Sequence, residues 1–246
     1  MRILLTNDDG IFAEGIKVLA NTLAPIADIY VMAPLRDRSG AGSSISTSIP
    51  LRVDKIEEKW WGITGKPADC VKLALSGHIM PAPDMVISGI NAGENLGDDV
   101  LYSGTLGGAI EGRYLGKPAI AISCVNGTSP AYDTAAKVIL DIFAKGIDNP
   151  LLSDCILNIN VPDLAYEKLR GIKITHQGER EIAPSASRAH DSKNREVFWL
   201  GNAGKAVSIT EDSDFHAVQN GYVSVTPLQV NMTAYKHIEV LRSWLR

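Results

Sequence analysis

Apolar runs that read as strands buried on both faces alternate along this chain with segments of helical periodicity. That alternation limits the possible folds more than any other feature. Residues 2–7 form the first apolar run, and Ala13–Leu23 follows with apolar positions at helical spacing. The runs "DIYVMA" (28–33), "DMVISGIN" (84–91), "AIAISCV" (119–125) and "ILNINV" (156–161) read as further strands. Helices are predicted at Pro67–Ser76, which opens at a proline, over "GTLGGAIEGRYLG" (104–116), and at Tyr132–Ala144. A β-like pattern covers Ile45–Ile56. The order predicts an α/β fold: a mostly parallel sheet with helices on both faces. Such sheets bind ligands beyond the carboxyl ends of their strands.

The character changes near residue 178. Residues 178–221 are polar, with short β-like runs such as "EVFWLG". A stretch this irregular is usually functional or packs on a partner. It reads as an extended arm that contains a hairpin and reaches a second subunit. "GYVSVTPL" then returns as a strand, and "AYKHIEVLRSWL" closes with a helix. The expected organisation is one domain over 1–246, with a core over 1–177 and the arm, returning strand and final helix over 178–246.

A net charge of −4 argues against an electrostatic grip on nucleic acid and favours small-molecule chemistry. No apolar run approaches the roughly 18 residues of a membrane span. The start, "MRILLTNDDG", reads as neither signal peptide nor anchor. Cys70, Cys124 and Cys155 form no CxxC pair and read as buried, reduced thiols, so a cytoplasmic setting is expected. The sequons at Asn126 and Asn231 read as chance.

Three strand ends carry similar chemistry. The first ends in Asn7-Asp8-Asp9-Gly10, the second leads into Asp37-Arg38-Ser39-Gly40, and the third ends in "SGINAGEN" (88–95). Adjacent carboxylates at a strand end repel unless something neutralises them. Parallel strands bring Asp8, Asp9, Ser39 and Asn91 to one sheet edge. Carboxylate, hydroxyl and amide oxygens suit a hard divalent cation, Mg²⁺ or Mn²⁺. Ser103, Gly104 and Thr105 lie where a long loop enters a helix, and a helix start is a ready phosphate site. The plainer reading of Ser103 is an N-cap. Gly40, Gly42 and Ser43 suit similar work in the second loop.

Other signals are absent or weak. There is no Walker motif, no G-x-G-x-x-G after the first strand, no G-x-S-x-G elbow and no H-x-x-x-H. Asp98 and Asp99 read as a solvated loop in preference to support for the site. Trp60-Trp61 suits apolar packing better than base stacking.

Taken in order, "ILLTNDDGIFAEGI", "VMAPLRDRSGAGSSIS", "GKPADCV", "PDMVISGINAGENLGDDVLYSGTLGGAIEG" and "GKPAIAIS" resemble the SurE family, stationary-phase survival proteins that act as nucleoside monophosphate phosphatases. "NINVP" and "YVSVTPL" extend the likeness more loosely. The resemblance implies a Rossmann-like core and a C-terminal extension used in homodimers or homotetramers. It implies a metal-dependent 5′-nucleotidase acting on nucleoside 5′-monophosphates, often 3′-monophosphates, and sometimes short polyphosphate. The family's metal ligands fall on Asp8, Asp9, Ser39 and Asn91, and its neighbouring polar residues on Asn95, Ser103, Gly104 and Thr105. Lys66 stands where the family often has threonine, which places an added charge near the pocket.

The mechanism expected is attack by water, with one divalent cation per subunit. Asp8 or Asp9 takes the water's proton, Gly40, Ser103, Gly104 and Thr105 hold the phosphate, and Asn95 positions water or phosphate. The rival is nucleophilic attack by Asp8. Enzymes of that kind commonly carry a second Asp two residues on, where this chain has Gly10.

Overall fold

The computed structural model of the chain describes residues 1–125, 131–147, 152–182, 185–201, 204–207 and 209–246. The sequon Asn126 lies outside the described residues. The chain begins with β1 (Arg2–Thr6), α1 (Glu14–Leu23) and β2 (Asp28–Pro34). Next come β3 (Val53–Glu57), β4 (Trp60–Ile63), α2 (Pro67–Ser76) and β5 (Met85–Ala92). A 3-10 turn at Gly97–Leu101 leads into α3 (Gly104–Glu111), followed by β6 (Ala119–Cys124), α4 (Tyr132–Ala144) and β7 (Ile156–Val161).

These strands, with β8 (Ile172–Ile174) and β13 (Val223–Leu228), build a nine-stranded sheet in the order β3-β4-β2-β1-β5-β6-β7-β13-β8. The neighbours from β4 to β7 are all parallel. The edge strand β3 is antiparallel to β4, and β13 is antiparallel to β7.

Successive strand residues point to opposite faces. Ile3 and Leu5 of β1 therefore join the core under α1 and α4, whereas Leu4 joins a second core with Cys70, Val71 and Ala74 of α2. Leu106 and Ala109 of α3 cover Ala119 and Ala121 of β6 on a third. Helices thus cover both faces, which is why strands β1, β5 and β6 carry continuous apolar runs.

Two sequence expectations change in detail, and one holds. The β-like stretch from Ile45 yields a strand only from Val53, and Ser46 is instead tied to Asp69 of α2 through its N–H (2.6 Å) and hydroxyl (2.8 Å). Helix α3 stops at Glu111, because Gly112 caps it and lies where a Cβ would come within 2.5 Å of Val86. The Trp60-Trp61 pair opens β4 and packs on the apolar cores as expected, with Trp61 stacked on Tyr30 at 6.4 Å between ring centroids.

The C-terminal third contains β9 (Glu179–Arg180), the antiparallel hairpin β10 (Ser187–His190) and β11 (Glu196–Trp199), β12 (Ala206–Val207) and α5 (Asp214–Gln219). After β13 the chain ends in α6 (Ile238–Trp244), which has no buried residue. The returning strand belongs to the main sheet, where β13 separates β7 from β8.

Candidate active site

The sheet order reverses at β1, since β2 and β4 lie on one side of it and β5, β6 and β7 on the other. The crevice beyond the carboxyl ends of strands at such a reversal is where open α/β sheets bind ligands. Here β1 delivers Asp8 and Asp9, and β5 delivers Asn91. Asn7 shapes the exit from β1, with its Nδ2 donating to the Gly10 carbonyl (2.9 Å) and its Oδ1 accepting the Gly10 N–H (3.2 Å).

Asp8 is buried, and its Oδ1 accepts the Thr105 hydroxyl at 2.6 Å. Gly104 presses on the same carboxylate: a Cβ there would lie 2.8 Å from Asp8 Oδ2. The start of α3 is therefore seated directly on Asp8. Asp9 is held by the Ala92 N–H, which donates to its Oδ2 at 3.2 Å. The loop after β2 is tied in by the Arg38 N–H, which donates to the Asp8 carbonyl at 2.7 Å. Ser39 donates to Asp37 Oδ1 through its hydroxyl (2.6 Å) and N–H (2.7 Å). Asn91 donates its side-chain N–H to the Gly93 carbonyl (2.9 Å), so its side-chain oxygen is the atom open to a cation.

The predicted residues at the first three strand ends thus come to one edge, but two of the others have work the sequence did not reveal. The Thr105 hydroxyl is committed to Asp8, which makes it an orienting group for that carboxylate. Asn95 is buried in an amide network. Its Nδ2 donates to the Ser123 hydroxyl (2.8 Å), its N–H to Asn160 Oδ1 (2.8 Å), and its carbonyl accepts from Asn158 (2.8 Å) and Asn160 (3.1 Å). Ser103 caps α3, accepting the Leu106 N–H at 3.1 Å. Gly40 adopts φ +73° in an open turn with nothing near its missing side chain.

Asp37 is the residue that sequence reasoning passed over. It holds Ser39, and its charge is felt by both Asp8 and Asp9. Its place two residues before Ser39 was the available signal. Asp98 and Asp99 also differ from the solvated-loop expectation, because Arg180 donates to Asp99 Oδ2 through Nε (2.9 Å) and Nη2 (2.5 Å).

The electrostatics suit a cation. Burial pushes the Asp8 carboxyl above its ordinary range, against the pull of the Thr105 hydroxyl. Burial, then the neighbouring Asp8 charge, push Asp9 up to about 6. Among the described residues no three His, Cys, Asp or Glu side chains cluster as a metal site. The donor set is instead two carboxylates, a hydroxyl and an amide, which fits a hard cation that keeps several waters. A soft or thiolate-bound metal does not fit: Cys70, Cys124 and Cys155 are free and buried, and burial pushes their thiols up.

A proton on Asp9 would compete with a cation that this carboxylate helped to hold. Cation affinity is therefore expected to hold at pH 7–8 and to fall as pH drops through about 6, by about tenfold per pH unit below it. Calorimetric titration with Mn²⁺ between pH 5 and 8 checks this, and an affinity flat over that range would contradict it.

Residues 3–184 match the model of the family described as "Survival protein SurE". The chain is 49% identical over 246 residues to the 5′-nucleotidase SurE of Halorhodospira halophila, covering 100% of this chain and 98% of that protein. It is 48% identical over 245 residues to the 5′-nucleotidase SurE of Nitrosomonas eutropha, covering 100% and 99%. The crystal structure of the SurE protein from Aquifex aeolicus superposes with a TM-score of 0.87 at 39% identity, over the full length of both chains. The fold, the order of its motifs and these full-length matches agree: the chain belongs to the SurE family.

Proposed function

We propose that the chain is a cation-dependent 5′-nucleotidase that hydrolyses nucleoside 5′-monophosphates, and also 3′-monophosphates and short polyphosphate, to release phosphate. The observation that carries this reading is the Asp8-Asp9 pair at the sheet reversal, with raised proton affinity and the start of α3 packed directly on it. The names of the full-length relatives support it.

In this reading Asp8, Asp9, Ser39 and Asn91 hold one Mg²⁺ or Mn²⁺ per subunit. When bound, such a cation withdraws charge from a phosphoryl group and acidifies water. The chain's own residues do the rest. Asp8 or Asp9, the two carboxylates at this edge, takes the proton of an attacking water. Asp8 is held in one rotamer by Thr105. The start of α3, whose positive dipole end favours negative charge, faces Asp8, and Gly104 lets the backbone approach. Gly40 and Ser103 complete the phosphate cradle, and Asn95 fixes the loop between Asn91 and that cradle through its buried amide network.

Phosphate release from a panel of nucleoside 5′- and 3′-monophosphates and tripolyphosphate, with Mg²⁺, Mn²⁺ or EDTA, tests the reading. Release that needs the cation and favours nucleotides is expected. Nucleotide binding without turnover under any cation would make the site a sensor.

The same reading includes self-association and a cytoplasmic setting. Among the described residues no helix is long and apolar enough to cross a membrane. Yet Trp199 (69%) and Leu200 (88%) by the hairpin, and Trp244 (76%) and Leu245 (74%) at α6, are exposed. Large apolar side chains grouped on the surface mark interfaces. A homodimer or homotetramer is expected by sedimentation, and Trp199→Glu with Trp244→Glu should shift it toward monomer. A wild-type monomer at micromolar concentration would refute the assignment.

A further inference from the structure

Asp214 is a fully buried carboxylate at the first position of α5. An acid in a helix's first turn is ordinary, and such a residue needs only nearby N–H groups. Here the local work is divided. Ser213 caps α5 by accepting the His216 N–H at 3.3 Å, and Asp214 Oδ1 accepts the N–H groups of Phe215 (2.8 Å) and Gly178 (2.9 Å). Asp214 Oδ2 is spent elsewhere: it accepts the Gly97 N–H at 2.8 Å, 117 residues away in sequence.

Gly97 opens the turn Gly97–Leu101 that leads into Ser103. It has φ +52°, and a Cβ there would lie 2.7 Å from the Phe215 ring and 2.8 Å from the Gly178 carbonyl. The turn is thus seated on the C-terminal third with no slack. A second anchor lies one step on, where Arg180 forks onto Asp99. At its far end the turn meets both halves of the proposed cradle. The Tyr102 carbonyl accepts the Gly42 N–H at 2.9 Å, and Ser103 starts α3, which reaches Asp8 through Thr105.

We propose that Asp214 is a positioning residue for phosphate binding, acting through the Gly97–Leu101 turn on the Ser39–Gly42 loop and the start of α3. It touches neither substrate nor cation. The proposal rests on the phosphate-cradle reading above. Its consequence is that the C-terminal third sets the geometry of a site built from the first half of the chain.

Asp214→Asn separates this from a structural role. The amide oxygen can keep the Gly178 and Phe215 N–H groups, but the amide nitrogen then faces the Gly97 N–H, donor against donor. The variant keeps the α5 contacts and releases the turn. Asp99→Ala loosens the same turn from a partly exposed position, because it removes the one oxygen that accepts both Arg180 N–H groups.

Inorganic phosphate and Mn²⁺ binding are measured by calorimetry on wild type and both variants, with KM and kcat for a nucleoside monophosphate and the melting temperature. Both variants are expected to weaken phosphate and raise KM by about tenfold, the scale of one lost hydrogen bond to a charged group, with Mn²⁺ affinity falling less, because Asp9 and Asn91 are not carried by the turn. Phosphate affinity equal to wild type in both folded variants, whatever happens to the melting temperature, overturns the proposal. Failure of wild type itself to bind phosphate overturns the cradle reading on which it stands, and is distinguished by needing no variant.

Discussion

Asp8→Asn is expected to lower kcat/KM by about 10³-fold, equivalent to about 4 kcal/mol of transition-state stabilisation, while the protein stays folded. The substitution is isosteric, and the amide oxygen can go on accepting the Thr105 hydroxyl at its 2.6 Å distance. What disappears is one of only two charges in a site otherwise made of a hydroxyl and an amide. A second signature is independent of rate. The Asp8 charge is the second cause of the raised Asp9 carboxyl, after burial. Its removal should therefore lower the pH at which the remaining cation affinity is lost. Steady-state assay and calorimetry on the purified variant measure both, and full activity would remove Asp8 from the mechanism.

Gly15→Ala is the stability counterpart, and two effects oppose each other there. Alanine is the better helix former, by about 1 kcal/mol in a helix interior. But a Cβ at Gly15 would lie 2.1 Å from the Ile90 carbonyl oxygen and 3.0 Å from the Tyr132 ring. The oxygen belongs to β5, so neither side yields by a rotamer change, and overpacking of this kind costs about 3 kcal/mol. The clash wins by about 2 kcal/mol, and the melting temperature should fall by about 4–8 °C for a chain of this size. A rise would mean that α1 can lift off β5 cheaply. Such a lift would also disturb Asn91, the next residue after Ile90, so cation affinity is worth measuring on the same sample.

What the sequence made legible followed from burial. Strands β1, β2, β5, β6 and β7 lie inside the sheet with helices above and below, so their apolar runs are continuous and their positions readable. Helices α2 and α4 have the bounds expected from their periodicity. Strands β4 and β8 escaped because they are short, and among the described residues β8 pairs with β13, far on in sequence. Within the site, residue types at the strand ends were enough to assemble Asp8, Asp9, Ser39 and Asn91. The roles of Thr105, Asp99 and Asp214 were not legible, because each is defined by a partner distant in sequence, whereas Asp37 serves Ser39 two residues on and was passed over. Thr105 serves a residue 97 positions away, and Arg180 reaches back 81 positions to Asp99. No local pattern encodes such pairings.

The place of β13 between β7 and β8 has a consequence for synthesis. Strands β1 to β7 can pair in the order in which they leave the ribosome, up to residue 161. Strand β8 is made next, but its partner is not complete until residue 228. Until then the β7 edge, with Leu157 and Ile159 on it, is open to any other extended segment. The polar composition of residues 178–221 keeps the intervening chain from competing for that edge. A chain truncated before β13 should therefore aggregate through β7, even though every residue proposed to hold the cation has already been made.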